Sequence, residues 1–406
     1  MGRRQNRYAG YRSFSYLRAG EDYTPYDLPP EIDRVASTRV AVTEAQEERV
    51  WQLLDRYPVI SLHEHADLMP LRSEDVMPYT RQGRDFTGYE GLSVSGLDCV
   101  FDNLMDGTTL ITSSAGWKWT DIIHDLGMRL SDIEHQDFVV RAGRVADIER
   151  AKREGQVAFI PALEAATAIE NEVDRVDVLY GLGVRLMGIA YSEANGLGSG
   201  LAEATDGGLT SFGRRVVRRM NRLGMAVDIS HCGDRTSLDT IAASAVPVFI
   251  THAGARGVWP SRRMKSDEVV RACAERGGVI GIEAAPHTTL SREHPRHTID
   301  SVMDHFTYLV DLVGIDHVAF GPDTLFGDHV ALHGAFAAQF SIDDAHGAEG
   351  PDDPAFPPVD FVDGLESPAE AFPNLVRWLV AHGYGDGEIG KVIGGNVMRV
   401  LGEVWR

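Results

Sequence analysis

Histidine and carboxylate side chains stand at the ends of several short apolar runs in this chain. His63 ends PVISLH, Glu164 directly follows QVAFIPAL, His231 ends MAVDISH, His252 ends PVFITH, and Asp323 ends HVAFGPD. Imidazoles and carboxylates bind borderline divalent cations, and one carboxylate can bridge two ions about 3.5 to 4 Å apart. These residue types therefore predict a centre with two divalent ions, the kind of centre that activates water for hydrolysis.

One histidine at the end of a strand is more often a hydrogen-bonded rim residue than a metal ligand. Five such residues at five strand ends are much harder to explain in that way. His65 follows His63 by two positions, and two residues so spaced face the same side of a strand. The His-x-His pair thus adds a sixth candidate ligand, although a solvent-exposed turn would give the same pattern.

The elements that must position these side chains are short apolar runs alternating with amphipathic helical patterns, the rhythm of βα units with a buried parallel sheet. The eight runs are 58–63, 92–101, 156–163, 183–191, 225–231, 247–252, 278–284 and 317–323. Eight strands with intervening helices indicate an α/β fold of the (β/α)8 TIM barrel type. In such a barrel the carboxyl ends of the strands converge, so distant residues can meet around shared ions.

The organisation along the chain favours one domain. Residues 1–45 show little periodicity and are expected to form an extended arm, and residues 46–406 a single barrel with C-terminal helices. These last helices are predicted at 368–383 and 386–405. Two long irregular stretches, 69–91 and 324–364, follow the first and eighth strands and would lie on the face where barrel active sites occur.

Composition excludes several function classes. The 406 residues contain 39 Lys and Arg against 60 Asp and Glu, a net charge of −21, whereas electrostatic binding to nucleic acid needs clustered cations. The three cysteines give no disulfide framework, and no apolar run is long enough for a secretory signal or a membrane helix. We therefore expect a cytoplasmic protein with a small-molecule substrate and with neither nucleic acid nor membrane as partner.

Four blocks of the sequence carry a resemblance to a known family: 208–233, 247–282, 310–323 and 371–401. Through them the chain resembles the renal (membrane) dipeptidase family of binuclear zinc barrel peptidases, from about residue 47 to residue 401. The resemblance implies two Zn²⁺ ions per chain and a homodimer. It also implies hydrolysis of a dipeptide, or a similar small amide with a free carboxylate, by a water that bridges the two ions.

The resemblance assigns a role to each candidate ligand. The first strand of the family reads PVIDGHND, and its ungapped match PVISLHEH places His63 at the histidine and His65 at the aspartate. A second alignment, shifted by two residues, pairs His65 with Asp67 instead. By the same resemblance, one Glu bridges both ions, two histidines bind the second ion, and an Asp binds metal and transfers the proton of the water to the leaving amine. These four positions are Glu164, His231, His252 and Asp323.

Substrate-binding positions follow in the same way. Arg263 matches an arginine that binds the substrate carboxylate, and Thr167 stands where the family has a histidine that holds the carbonyl oxygen. Tyr191 and Asn195, after the fourth strand, are expected to line the pocket. Because His65 and Thr167 depart from the family pattern, two alternatives stay open: a substrate such as an N-acyl amino acid, a lactone or a pathway intermediate, or a barrel that binds metal without catalysis.

Overall fold

The computed structural model describes residues 6–104, 118–340 and 357–405. The strands in these ranges are β1 (Ile60–Glu64), β2 (Asp67–Leu68), β3 (Phe86–Thr87), β4 (Cys99–Asn103), β5 (Val139–Arg141), β6 (Val157–Leu163), β7 (Leu186–Gly188), β8 (Ala226–Asp228), β9 (Phe249–Ala253), β10 (Val279–Ile282) and β11 (Val318–Phe320). The α-helices are α1 (Glu44–Arg56), α2 (Ser73–Arg81), α3 (Tyr89–Val94), α4 (Trp119–Ile133), α5 (Val145–Glu154), α6 (Asp174–Leu182), α7 (Ser211–Leu223), α8 (Asp234–Ala243), α9 (Asp267–Glu275), α10 (Ile299–Val313), α11 (His329–Phe340), α12 (Ala371–Ala381), α13 (Asp386–Gly390) and α14 (Asn396–Val404). No helix among the described residues has the length and apolar character needed to cross a membrane.

The main sheet runs in the order β1-β4-β6-β7-β8-β9-β10-β11, and each neighbouring pair is parallel. The first and last strands meet at a seam just beyond their ladders. There the His63 carbonyl accepts a hydrogen bond from Asp323 N at 3.1 Å, and the Thr324 carbonyl accepts one from His65 N at 3.0 Å. The eight strands thus form a nearly closed parallel barrel, which confirms the predicted (β/α)8 fold.

Helix α7 illustrates how the sequence covers this barrel. Its residues Val216, Val217 and Met220 are fully buried, as expected for apolar side chains spaced at one, three and four positions on a helix face. The Thr210 hydroxyl accepts a hydrogen bond from Gly213 N at 2.9 Å and caps the first turn. Gly224 ends the helix in the left-handed region with φ of 80°.

The last helix closes the end of the barrel opposite the candidate ligands. Val397, Val400 and Leu401 of α14 pack in one cluster with side chains of the inner strands, such as Ile60 and Phe249. In addition, the side-chain amide of Asn396 donates to the carbonyls of Ile315 and Val318 at the start of β11. The amino end of the barrel is therefore filled, and the carboxyl end remains for a site.

Two predicted elements were wrong in detail. The run 92–101 was expected to be a strand, but Leu92 lies in α3, and β4 begins only at Cys99 after a turn at Gly96 with φ of 77°. The amphipathic pattern of residues 138–155 predicts a helix throughout, but its first part contains β5, which pairs with β6. Three-residue strands leave too few positions for an alternating pattern to be recognised.

The chain is irregular from residue 6 to the start of α1, and this segment is anchored to the barrel. Phe14 is fully buried, and its backbone N donates to the Asp132 carboxylate of α4 at 2.7 Å. Ser13 Oγ donates to the same carboxylate at 2.5 Å. The division of the chain at residue 45 stays a prediction.

Candidate metal centre

Side chains from five strand ends converge at the carboxyl end of the barrel. They form three overlapping groups whose ligand atoms lie within 4.8 Å of one another: His63, His65 and Glu164; His63, His252 and Asp323; and Glu164, His231 and His252. His63 and His252 lie within β1 and β9, and the other four residues follow β1, β6, β8 and β11. The structure thus brings all six residues predicted as ligands together.

The first half of the centre has the spacing of a metal site. His63 Nε2 lies 3.1 Å from Glu164 Oε1 and 3.2 Å from Asp323 Oδ1, and His65 Nε2 lies 3.3 Å from Asp323 Oδ1. A tetrahedral zinc site with bonds of about 2.0 to 2.1 Å separates its ligand atoms by about 3.3 Å. His63 and its neighbours are therefore spaced closely enough to bind an ion in common.

The second half shares a carboxylate with the first. His231 Nε2 lies 2.8 Å from His252 Nε2, and His252 Nε2 lies 3.7 Å from Glu164 Oε1. Glu164 therefore belongs both to a group with His63 and to a group with His231. A carboxylate in this position has the two oxygens needed to bridge a pair of ions.

Residues behind the ligands orient the imidazole rings. His65 Nδ1 lies 2.9 Å from the Asn103 carbonyl, and His63 Nδ1 lies 2.8 Å from the side-chain amide of the same residue. His252 Nδ1 lies 2.8 Å from Thr251 Oγ1, which donates to Asp228 at 2.9 Å. At His65 and His252 the partner oxygen accepts from Nδ1, which would leave Nε2 free to bind an ion. Sequence reasoning missed Asn103 and Asp228, because nothing in their local pattern marks them as partners of a ligand.

Mutual electrostatics set the protonation states of the ligands. Burial disfavours the cation at His63, but Asp323 and Glu164 outweigh this effect and raise its pKa to about 10. Burial also disfavours the Asp323 anion, yet His63 and His65 hold its pKa well below the usual range. Burial, reinforced by the charge of His63, lowers the pKa of His252 well below 6.5. Asp323 and His252 thus already have the protonation states of ligands, and His63 would have to lose a proton before it could bind a metal.

Glu64 connects the first strand to the loop that carries Asp323. This fully buried residue accepts hydrogen bonds on Oε2 from Thr324 N at 2.9 Å and Thr324 Oγ1 at 2.8 Å, and on Oε1 from Ser61 Oγ at 3.1 Å. The neighbouring Asp323 has φ of 57°, a left-handed conformation that a non-glycine residue keeps only when its surroundings hold it. Glu64 is a site residue that the sequence did not identify, since it stands between two more conspicuous histidines.

The other first-strand candidate, Asp67, belongs to a different cluster. Its carboxylate forms an ion pair with the buried guanidinium of Arg129, which also lies 3.4 Å from Asp102. Asp67 is a member of none of the three ligand groups among the described residues. The alignment that pairs His63 with His65 therefore matches the observed geometry, and the shifted alignment does not.

The four residues predicted to bind substrate have different surroundings. The Tyr191 ring stacks on the imidazole of His231 at 4.0 Å between centroids, which places it at the edge of the centre. Asn195 Nδ2 donates to Thr167 Oγ1 at 3.2 Å and to the Ile189 carbonyl at 2.8 Å, so this pair is joined in the neighbouring loops. Their roles toward a substrate stay predictions.

Arg263 lies beside a ligand candidate, and its Nη2 atom is bound by protein acceptors. Its side chain is 1 % exposed, and it forms an ion pair with Glu283, which is 0 % exposed. It also donates to the His252 carbonyl at 3.0 Å. Burial raises the pKa of Glu283 to about 7, although Arg263 acts in the opposite direction. The predicted carboxylate-binding arginine thus already has a carboxylate partner.

Two histidines of α11 lie near the mouth. The His329 and His333 rings are 4.5 Å apart, one helical turn from each other. Burial lowers the pKa of both, to about 4 for His333, and the charge of Asp323 acts on each of them. Burial thus favours the neutral form of both imidazoles, and both lie within electrostatic range of Asp323.

Together, these features define a parallel barrel whose carboxyl end carries a cluster of histidines and carboxylates that could hold divalent metal ions. The sequence profile of the membrane dipeptidase family, peptidase family M19, matches residues 125–333. Since this match spans about half of the 406 residues, the chain belongs to that family.

Curated relatives agree with this assignment. The chain is 28 % identical over 282 residues to dipeptidase tcpJ of Claviceps purpurea, a match that covers 69 % of the chain and 58 % of the relative. It is 29 % identical over 271 residues to an uncharacterised protein in the pqqA 5′ region of Klebsiella pneumoniae, covering 64 % and 87 %. The chain thus spans little more than half the length of the fungal dipeptidase.

Solved structures share the fold. An amidohydrolase from Pseudomonas aeruginosa superposes with a TM-score of 0.70 and 26 % identity, covering 88 % of this chain and 99 % of that one. A metallo peptidase from Rhodobacter sphaeroides, liganded with a phosphinate mimic of the dipeptide L-Ala-D-Ala, gives a TM-score of 0.65 and 20 % identity, covering 86 % and 99 %. The barrel is therefore common to this group of proteins.

Proposed function

We propose that this protein is a metal-dependent hydrolase that cleaves a small amide of the dipeptide type with two zinc ions. The single observation that carries the proposal is the sharing of Glu164 between two groups of histidine ligands. When bound, a pair of zinc ions supplies a polarised carbonyl and a water of lowered pKa. The donor set of four imidazoles and two carboxylates suits zinc.

The protein residues provide the remaining steps. The Asp323 side chain is 11 % exposed and that of Glu164 10 %, so both carboxylates are largely buried but keep some access to the mouth. Asp323 accepts the proton of the attacking water and returns it to the leaving amine. Glu64 keeps Asp323 in position for both transfers through its bonds to Thr324.

Relatives support an amide as the bond that is cleaved. Three of the curated relatives are named dipeptidases, with 27 % to 29 % identity to this chain. Each match covers 58 % to 63 % of the relative, so the activity of the whole relatives comes to this chain only as part of the proposal.

A second candidate keeps the metal centre and changes the substrate to a lactone, an ester or another compound that is not a dipeptide. The specific observation that favours it is the ion pair between Arg263 and Glu283, which occupies the cation expected to bind a substrate carboxylate. Thr167, which stands where the family has a histidine, is consistent with this candidate.

The experiment combines metal analysis with a substrate panel. We expect about two equivalents of zinc per chain and hydrolysis of at least one dipeptide, N-acyl amino acid, amide or lactone. A chelator and the variant His231→Ala should abolish hydrolysis, whereas His382→Ala, which changes an exposed histidine outside the centre, should retain it. Full activity of a metal-free preparation would refute the proposal. Metal binding without hydrolysis of any panel member would favour the catalytically inactive barrel instead.

Homodimer formation and a cytoplasmic location stay predictions that rest on the resemblance and on composition. Light scattering of the purified protein tests the first, and cell fractionation tests the second.

A further inference from the structure

A buried lysine joins the two loops that follow the histidines of the second half of the centre. Lys265 lies between β9 and α9 and is only 2 % exposed. Its Nζ donates to the Cys232 carbonyl at 2.6 Å and to Ser237 Oγ of α8 at 3.4 Å. Cys232 directly follows the candidate ligand His231. The ammonium group therefore holds the loop after β8 at the residue next to a ligand.

The backbone of Lys265 is bound to the other loop, the one that follows His252. Its N donates to the Gly254 carbonyl at 3.0 Å, and its own carbonyl accepts from Arg256 N at 2.9 Å. A Cβ at Gly254 would lie 2.6 Å from His305 Nδ1, so the chain is closely packed at this point. Lys265 is thus fixed to the strand end that carries His252.

The burial of the ammonium group makes its bond to Cys232 obligatory. Burial lowers the pKa of Lys265 to about 8, although the charges of Asp234 and Asp228 act in the opposite direction. The side chain therefore stays a cation at pH 7. A buried cation is stable only where polar partners replace its water of hydration. The Cys232 carbonyl is such a partner, so Lys265 and Cys232 have to stay together.

A second cation joins the same two loops, but nearer to solvent. Arg256 Nη1 pairs with Asp234 Oδ2 at 2.6 Å, and the two side chains are 33 % and 37 % exposed. Asp234 lies three residues beyond His231, and water and salt screen an ion pair with this exposure. Lys265 is therefore the connection that lies closer to the ligand and is better shielded.

This connection sets the distance that defines the second half of the centre. His231 Nε2 and His252 Nε2 lie 2.8 Å apart, and both belong to one ligand group with Glu164. Such groups have to be held within about 0.5 Å of the productive geometry. The bonds of Lys265 go to backbone carbonyls and a hydroxyl, so it acts on the imidazoles through the backbone of the two loops.

We infer that Lys265 is a positioning residue for the second metal ion: its side chain fixes the loop of His231 against the loop of His252. The inference rests on the proposed centre with two ions and adds a residue to it. The first half of the centre, with His65 and Asp323, belongs to other strand ends and should not depend on Lys265.

The test measures the two ions separately. Metal-free protein is titrated with Zn²⁺ in competition with a chromogenic chelator, and with Co²⁺, whose visible absorption reports the ligand geometry. Lys265→Met keeps the length of the side chain but removes its charge and its donor. We expect one ion to bind as in the wild type and the other at least 10-fold more weakly, with a changed spectrum for that ion only. A role confined to folding would lower the unfolding midpoint and leave both affinities unchanged.

Two further proteins assign the effect. Lys152→Met is the matched control, because Lys152 Nζ also donates to a backbone carbonyl, that of Leu54 at 3.2 Å, and to Asp98 at 2.7 Å, next to the start of β4. This control should bind both ions like the wild type. In His231→Ala, which lacks a ligand of the second ion, adding Lys265→Met should not change the affinity for the remaining ion, because both substitutions act on the same site.

The outcomes separate the inference from the function on which it rests. If the wild type binds two zinc ions and hydrolyses a panel member, but Lys265→Met weakens both ions equally or neither, the inference is overturned and the proposed function stands. If the wild type does not bind two ions, the proposed centre fails and the inference fails with it. If Lys265→Met does not fold, Lys265→Gln, which keeps a neutral donor on a shorter side chain, gives the same comparison and should also weaken one ion only.

Discussion

Acidification should destabilise the protein through His305, a histidine outside the metal centre. This fully buried side chain uses both ring nitrogens: Nδ1 accepts from Ala255 N at 2.9 Å, and Nε2 donates to the Leu290 carbonyl at 2.8 Å. Burial lowers its pKa to about 4. Since Ala255 lies two residues beyond the end of β9, the strand that contains His252, loss of this contact would loosen one side of the centre.

The size of the effect follows from proton linkage. A histidine in the unfolded chain has a pKa of about 6.5. Below that pH, His305 is protonated in the unfolded chain but stays neutral in the folded chain until the pH approaches 4. The stabilising contribution is therefore complete above pH 6.5 and declines as the pH falls toward the folded pKa. At pH 5 the loss for His305 amounts to about 2 kcal/mol. His297, whose pKa is lowered to about 3 by burial, adds about 2 kcal/mol more.

Urea unfolding at pH 7, 6 and 5 measures this dependence. The variant His305→Gln retains a donor for the Leu290 carbonyl but does not titrate, so the free energy of unfolding should fall by about 2 kcal/mol less than in the wild type between pH 7 and pH 5. Contributions from the metal ligands are common to both proteins and cancel in the comparison. His382→Gln, at an exposed histidine, should behave like the wild type. An unchanged pH dependence in His305→Gln would refute the reasoning, whatever the stability of the variant at pH 7.

Three further predictions concern the centre. Glu64→Gln weakens the hold on Thr324, and the affinity for zinc, measured by competition with a chromogenic chelator, should fall about 10-fold or more; unchanged affinity would contradict the positioning role. Gly188→Ala places a Cβ 1.8 Å from the Glu164 carbonyl oxygen and should reduce both hydrolysis and zinc content, whereas Gly402→Ala, with no atom within 4 Å of its Cβ, should affect neither. Removal of zinc should lower the unfolding midpoint, since an ion present at 100 times its Kd contributes about 2.7 kcal/mol; equal melting curves with and without chelator would argue against structural coupling.

The sequence predicted those features that depend on strand order. His63, His231 and Asp323 were identified because each stands at the end of an apolar run, and a parallel barrel gathers such ends whatever the intervening loops do. The sequence did not predict which side chains of different strand ends contact each other, because this depends on the direction in which each side chain points. The bond between Glu64 and Thr324 spans 260 residues, and the pairing of Arg263 with Glu283 joins two loops that have no common pattern.

Local elements failed where they were too short for periodicity. Leu92 was placed in a strand because it belongs to an apolar run, but Gly96 separates a short helix from β4. The three residues of β5 were read as part of a helix, since their pairing with β6 is set by the sheet rather than by their own alternation.

The seam between the first and last strands has a consequence for the order of assembly. His63 and Asp323 come from its two sides, so the full set of ligands exists only after segments 260 residues apart have met. Contacts of such long range form late, because the entropy of closing the intervening chain must be overcome first. A partly folded barrel presents only some of the ligands to zinc. Tight zinc binding would therefore be a property of the fully folded protein alone.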